Sequence, residues 1–527
     1  MVLNEIQVGS RSAYIGAFMS GADEPERAGE NGDAAVRDVH VAVVGGGLSG
    51  VGAAIMLRRA GIGDLVVLER ADEVGGTWRD NTYPGCACDV PSALYSFSFA
   101  PNPDWGRLYA GQPEIREYAR RIAREHGADE HIVTGADVLD VRWDDGAQRW
   151  RIETTRGRWS ARAVISATGP WSEPVLPDVP GLDAFEGTIF HSSRWNHDHA
   201  LAGERVAVIG TGASAVQFVP KIQPQVERLT VFQRTAQWVL PKLDRRVTVA
   251  EQALYRRLPL TQRALREAMY YTFELAGFAE RNPRAMGGFQ RIARRHLQRS
   301  VTDPTLRAAL TPDHTLGCKR ILFSNEWYRA LTQPNVELVP HAVTEVRAGG
   351  LVGADGVERP ADTLILGTGF GITEMPIAAR VTGRDGRTLD ETWGGSPTGH
   401  LGTVVSGFPN LFMILGPNVG NGHTSATVLI ELQVQFAIDA LKRMERDGVA
   451  SADVRPAVQD AFNEDVQRRL RGTVWNAGGC RSYYLDRNGR NSTIYPGSTL
   501  ELRRRMRFEP RDYALVPAAA AAAPIPA

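Results

Sequence analysis

Val39-His-Val-Ala-Val-Val44 runs directly into Gly45-Gly-Gly47-Leu-Ser-Gly50, and residues 48–60 continue with Leu48, Val51, Ala54, Ile55 and Leu57 at helical spacing. A short apolar run that ends in a glycine-rich turn and opens a helix reads as a strand–turn–helix unit. Leu65-Val-Val-Leu68 closes the unit as a second strand, and Glu69 follows it, 24 residues after Gly45. In such a unit the first glycine allows the tight turn. The second lets the backbone approach a pyrophosphate, and the third lets helix pack on strand. The helix N-terminus turns its partial positive charge toward the phosphates. An acid at the end of the second strand can accept both ribose hydroxyls.

The same grammar returns downstream. Arg205-Val-Ala-Val-Ile209 leads into Gly210-Thr-Gly212-Ala-Ser214-Ala215, a helix starts at about Ser214, and Leu229-Thr-Val-Phe232 follows. Alanine is allowed at the third glycine position. Here the slot 24 residues after the first glycine holds Arg234, not an acid. A guanidinium can grip a 2′-phosphate bidentately where a carboxylate would repel it. Thr235 adds a hydroxyl donor beside it. One chain therefore holds two different dinucleotides, the second of them NADPH in preference to NADH.

The remaining composition narrows the class. At 527 residues the chain exceeds one compact core, and length alone suggests about three or four domains. Lys plus Arg equals Asp plus Glu at 60 each, so no global field attracts nucleic acid or a membrane surface. No apolar run has membrane-spanning length, and no basic segment precedes an apolar one at the N-terminus. Neither nucleic-acid binding nor membrane insertion is expected, and the sequence leaves the oligomeric state open. Cys86, Cys88, Cys318 and Cys480 match no disulfide framework and no zinc module. They read as free thiols of a cytoplasmic protein, and no metal site is expected.

Two further apolar strands end in small residues, Ala163-Val-Ile-Ser-Ala-Thr-Gly169 and Thr363-Leu-Ile-Leu-Gly-Thr-Gly369. Such ends suit a chain that passes close to a nucleotide or crosses between domains. Residues 245–310 are rich in Arg, Leu, Ala, Glu and Tyr at helical spacing, with breaks near Pro259 and Pro304. Their arginines read as solvated helix faces. Residues 429–447 form another strong helix. The resulting fold is α/β, two Rossmann-like dinucleotide-binding domains with a helical insertion in the second. Its divisions are an N-terminal extension (1–37), a first domain in two parts (38–170 and 363–512), and a second in two parts (171–244 and 317–362). The insertion covers 245–316, and a disordered tail covers 513–527.

Two stretches stand apart from the fingerprints. Gly75-Gly76-Thr77-Trp78-Arg-Asp-Asn-Thr-Tyr83-Pro84-Gly85-Cys-Ala-Cys-Asp89 pairs glycines suited to a planar ring with a tryptophan that could wall it, and ends in a carboxylate after a rigid turn. Phe185-Glu-Gly187-Thr-Ile-Phe-His191-Ser-Ser-Arg-Trp195 lies between the two nucleotide units. Together they resemble the Baeyer–Villiger monooxygenases. That family's central signature is Phe-x-Gly-x3-His-x3-Trp followed by Pro or Asp, and Phe185, Gly187, His191 and Trp195 match it, with Asn196 at the last place. A second family signature, small-Gly-x-Trp-x4-aromatic-Pro-Gly-x3-Asp, is met in full from Gly75 to Asp89. The resemblance covers roughly residues 38–510.

The resemblance implies FAD on the first unit and NADPH on the second, with O2 and a ketone as the other reactants and an ester or lactone as product. Reduced flavin and O2 would give a C4a-peroxide. Gly317-Cys318-Lys319-Arg320 resembles the family's Lys-Arg pair, the lysine reaching the 2′-phosphate and the arginine lying over the flavin. Arg320 would then stabilise the peroxyanion, Asp89 would orient Arg320, and His191 joins them as a catalytic candidate, either touching substrate or transmitting domain motion. The implied cofactor contacts are Gly45, Gly47, Gly50, Glu69, Gly76, Thr77, Trp78, Asp89 and Tyr95, then Gly210, Gly212, Ser214, Ala215, Arg234, Thr235, Lys319 and Arg320. Gly407-Phe-Pro-Asn-Leu-Phe412 resembles the family's returning strand. Ser482-Tyr483-Tyr484 resembles a mobile Ser-Trp-Tyr element, with Tyr483 in place of tryptophan. Three alternatives compete. A flavin N- or S-oxygenating enzyme would share both nucleotide sites. A pyridine nucleotide–disulfide reductase needs a CxxC pair that is absent here. A non-catalytic NADP sensor would have no need of Asp89, Lys319 and Arg320.

Overall fold

The computed structural model describes residues 35–518. Two sheets organise it, the first mixed and the second all parallel. The first has eight strands. Arg37–Val44 lies near its middle, paired in parallel with Leu65–Leu68 on one side and Gly157–Ser166 on the other. Val138–Asp144, Arg149–Thr154 and the short Val381–Thr382 extend it beyond Gly157–Ser166. Ile132–Val133 ends the opposite side. Leu411–Met413 returns from late in the sequence to pair with Gly157–Ser166, so the first domain is closed by chain from both ends of the sequence.

The central strand explains itself from its residues. Val41 and Val43 point into the core that holds Val51 and Ile55 of the helix Leu48–Arg59 and Val434 of the helix Ala426–Arg446. Ala42 and Val44 point the other way, into a core with Trp150, Trp159 and Phe408. A strand buried on both faces reads as a continuous apolar run, as Val41–Val44 does. The strand begins at Arg37, inside the segment assigned from sequence to the N-terminal extension. Residues 1–34 of that extension lie outside the described residues.

The second sheet has five parallel strands in the order Val336–Val339, Arg228–Phe232, Arg205–Ile209, Thr363–Leu366, Thr188–His191. This corrects one boundary. Thr363–Leu366 was assigned to the second part of the first domain, yet it sits inside the second sheet with Ile365 opposite both Val208 and Phe190. The two Thr-Gly exits meet where the chain passes between sheets. The amide of Val175 donates to Gly369 O at 2.9 Å, and that of Gly371 to Glu173 O at 3.2 Å.

The expected insertion is helical: Val249–Arg257, Pro259–Arg281, Met286–Ser300 and Pro304–Ala309. Pro259 and Pro304 each begin a helix, where a missing N–H costs nothing. The Asp303 carboxylate caps the last of these by accepting from the Leu306 amide at 2.6 Å. Part of the segment expected to be a disordered tail, residues 513–527, is ordered. Tyr513–Pro517 forms a strand antiparallel to Val449–Val454, and of the segment called disordered, residues 519–527 lie outside the described residues.

Candidate active site

Two cavities adjoin, and only the second reaches the second nucleotide unit. The first, of about 350 Å3, opens over the first glycine-rich turn and is lined by Gly45, Gly47, Glu69, Gly76, Thr77, Trp78 and Tyr95. The turn depends on backbone that only glycine adopts without strain: φ is +106° at Gly45 and +113° at its counterpart Gly210. Gly50 does not line the cavity; its Cα packs against the Gly45 carbonyl, the helix-on-strand role of a third glycine. Glu69 is buried, accepting from the Gly46 amide at 2.6 Å, the Ala71 amide at 2.9 Å and Arg79 Nη1 at 2.9 Å. Three of its roughly four acceptor positions are thus engaged by protein.

Trp78 Nε1 donates to Tyr95 Oη at 2.9 Å, with the rings edge to face at 5.6 Å. Both side chains also line the second cavity, of about 380 Å3, so the two spaces share a wall. A glycine-lined cleft with an aromatic wall and a buried acid suits a dinucleotide with a planar ring at the shared end.

The second cavity contains the charge pair expected from the sequence. Asp89 Oδ2 accepts from Arg320 Nε at 3.0 Å, and Nη2 donates to both carboxylate oxygens at 2.6 and 2.8 Å. Burial alone would push the Asp89 carboxyl up, but the Arg320 charge and hydrogen bonds outweigh it and hold it below the usual range. The Asp89 charge likewise raises the Arg320 pKa against the pull of burial. Both groups therefore stay charged. The Arg320 side chain is 38% exposed and lines the cavity with Ser214, Gln217, Phe370, Tyr483 and Tyr484.

The second nucleotide unit contributes through its helix Ala213–Ile222, whose Ser214 reaches the cavity. Gly210, Gly212 and the buried Ala215 form the turn and the helix contact beneath it. Arg234 and Thr235 follow the strand Arg228–Phe232, with Arg234 exposed. Lys319 is half-buried, and its pKa is lowered first by burial and then by the Arg234 charge. Two cations held together against their own repulsion suit a phosphate.

His191 sits elsewhere. It ends the strand Thr188–His191, fully buried, and does not line the second cavity. Its Nδ1 bonds Ser193 Oγ at 2.8 Å and accepts from the Ser193 amide at 3.1 Å. Nε2 has no partner among the described residues. Burial, then Arg194, lowers its pKa to about 4, so the ring is neutral. Its edge contact with Phe370 at 5.8 Å is its link to the cavity wall. Trp195 of the same signature packs on Phe190 at 5.1 Å and Phe218 at 5.3 Å.

The cysteines do not behave as read. Cys318 and Cys480 are joined by a disulfide across 162 residues; only Cys86 and Cys88 are free, and both are buried. Burial pushes the Cys86 thiol up to about 12 and Cys88 higher still, so neither is reactive at neutral pH. The disulfide ties the Lys319-Arg320 turn to the loop carrying Tyr483 and Tyr484, which stack edge to face at 4.7 Å. Sequence reasoning also missed Gln217. Its Oε1 accepts from Tyr83 Oη at 3.0 Å and from the Ala87 amide at 3.3 Å, and its Nε2 donates to Ala87 O at 2.9 Å. A signal for it existed: Gln217 lies three residues after Ser214, one turn along the same helix face.

Comparison with known proteins places the chain. Residues 42–256 match the family model described as pyridine nucleotide-disulphide oxidoreductase. A Baeyer–Villiger monooxygenase of Streptomyces coelicolor is 52% identical over 471 residues, 89% of this chain and 91% of that one. One of Pseudomonas aeruginosa is 44% identical over 474 residues, 89% and 90% of the two chains. Among solved structures, an oxidized steroid monooxygenase bound to NADP superposes with a TM-score of 0.81 at 29% identity, covering 92% of this chain and all of the other. The chain belongs to the Baeyer–Villiger monooxygenase family. It is a flavoprotein monooxygenase with two dinucleotide-binding domains.

Proposed function

We propose that the Asp89–Arg320 pair, which lines the second cavity, is the catalytic centre of an enzyme that inserts one atom of O2 beside a ketone carbonyl. The cofactors are FAD and NADPH. Gly45, Gly47, Glu69 and Gly76 of the first cavity would hold FAD, which, reduced by NADPH, would supply the chemistry that activates O2.

The protein's own part follows from charge and burial. Attack on a carbonyl places negative charge on oxygen inside a space with little water, and a fixed cation there stabilises it without reorganisation. Arg320 is that cation. Asp89 accepts three hydrogen bonds from it and fixes its plane, so it acts as the positioning residue for Arg320. Arg234 and Lys319 bind the 2′-phosphate of NADPH. Trp78 and Tyr95 hold the wall between cofactor and substrate. His191 positions Phe370, at the cavity wall, from beneath. Oxygen transfer to an amine or sulfide uses an electrophilic oxygen and needs no such cation, so the placement of Arg320 favours the ketone. The cytoplasm, with its pool of reduced nicotinamide, is the compartment we assign.

The single observation behind this reading is the bidentate pair facing a cavity that shares Trp78 and Tyr95 with the flavin cleft. The test is a panel of linear, cyclic and polycyclic ketones, with an amine and a sulfide, given to purified enzyme with FAD and NADPH. Ketone-dependent O2 uptake with a product one oxygen heavier supports it. Oxygenation of the amine or sulfide alone sinks it.

A further inference from the structure

The helical insertion has an apolar outer face that the nucleotide chemistry does not use. Among the described residues sixteen large apolar side chains are exposed, and ten of them fall between Leu243 and Ile292. Leu260, Tyr271, Leu275 and Phe278 form one stripe along the outside of the helix Pro259–Arg281, exposed by 73, 53, 77 and 62%. Their spacing keeps them on one face of a 3.6-residue helix. Phe289 and Ile292 add exposed apolar surface on the next helix. Clustering of this kind marks an interaction surface, since single exposed apolar residues are normally scattered.

Charge decides what fits it. Residues 245–310 hold thirteen arginines against five acids, in a chain whose total charge balances. Arg257, Arg263, Arg284, Arg291, Arg295 and Arg299 are exposed and form no ion pair among the described residues. Two copies meeting on this face would press cation against cation. An anionic lipid surface meets both features at once: apolar side chains enter the boundary between headgroups and acyl chains while arginines pair with the headgroups. No helix among the described residues is long and apolar enough to cross a membrane, so the contact would be peripheral.

The inner face of the same helix connects the surface to the site. Tyr270 Oη bonds Thr499 Oγ1 at 2.8 Å, and Glu274 accepts from the Thr499 amide at 3.2 Å. Glu274 and Glu280 flank His423, each at 3.5 Å. The loop Gly420–Thr424, which carries His423, lines the second cavity. We propose that the helical insertion docks the enzyme on anionic lipid membranes, next to the phase into which an apolar ketone partitions.

The test uses the full-length holoenzyme and sedimentable vesicles of phosphatidylcholine, with or without about one third phosphatidylglycerol. Binding to the anionic vesicles at low salt, lost at high salt, is expected. Leu275→Asp with Phe278→Asp should weaken it by about tenfold or more. Each of Arg291→Ser, Arg295→Ser and Arg299→Ser should weaken it by about fivefold. Turnover of a water-soluble ketone should stay at the wild-type level in all of these, which shows that they fold and that the catalytic reading stands apart from the docking one. No binding to anionic vesicles, or equal binding to neutral ones, overturns the proposal. A dimer in sedimentation equilibrium that Leu275→Asp dissociates, without vesicle binding, overturns it in favour of a second copy.

Discussion

Arg234→Ala tests the assignment of the second nucleotide. Arg234 is exposed beyond the strand Arg228–Phe232, and its charge bears on Lys319, whose own pKa is already lowered by burial and by that charge. Neither side chain pairs with an acid within 4.0 Å among the described residues, so little within the protein competes for a phosphate. Hydrogen bonds to charged groups are worth about 1.5–3 kcal/mol. At 1.4 kcal/mol per decade, loss of Arg234 should raise the NADPH Michaelis constant by about 10- to 150-fold. NADH, which has no 2′-phosphate, should bind nearly as before. Removing Arg234 also removes one of the causes that depress Lys319, so Lys319 should titrate at higher pH in the variant. A 2′-phosphate beside the wild-type lysine should act in the same direction. NADPH binding should therefore weaken as pH rises through the Lys319 pKa, and do so at higher pH in Arg234→Ala. The assay is steady-state flavin reduction with each nucleotide across pH and salt. Equal losses for NADH and NADPH would refute the phosphate site.

Arg320→Ala should still be reduced by NADPH but should lose product formation by about 10²- to 10³-fold; anaerobic reduction and ester yield, measured separately, check this, and near-normal ester formation counts against it. Asp89→Asn should give the same split with a smaller loss, because the guanidinium remains but its two-oxygen seat is gone. His191 is neutral in the folded protein, with a pKa of about 4 against 6.5 unfolded, so the unfolded chain binds the extra proton in that window and stability falls as pH drops from 6.5 toward 4, by about 3 kcal/mol. In His191→Gln that part of the acid loss should vanish from denaturation curves, and superimposable pH profiles would count against it. Reducing the Cys318–Cys480 bond, or Cys480→Ser, should cost about 2–4 kcal/mol of stability and raise the share of NADPH lost as hydrogen peroxide; a reductant that changes nothing in the wild type would remove the disulfide from the coupling.

What the sequence discloses here depends on how local each feature is. Both strand–turn–helix units are legible because Gly45, Gly210 and the apolar runs around them act within about thirty residues. The loop from Gly75 to Asp89 is legible only as a pattern, since nothing in it says which cation Asp89 meets 231 residues on. Thr363–Leu366 is equally buried and equally apolar in either sheet, so its sequence does not choose between them; its partners Val208 and Phe190 do. Cys318 and Cys480 fail for the same reason, compounded by a prior that expects free thiols in a reducing compartment. Tyr513–Pro517 is a short edge strand beside an alanine-rich end, and its pairing with Val449–Val454 is again a long-range fact. His191 is recognisable by motif, yet its burial beneath Phe370 is a matter of packing.

Gln217 gives the fold a mechanical property. It belongs to the helix behind the NADPH unit, yet all of its described hydrogen bonds go to Tyr83 and Ala87, in the turn that leads to Asp89. Any rotation of the nicotinamide-side sheet must pull that turn along or break these three bonds. The carboxylate seat of Arg320 is thus geared to the domain that carries the reductant, and the arrival or departure of one nucleotide can be felt as torque at the other.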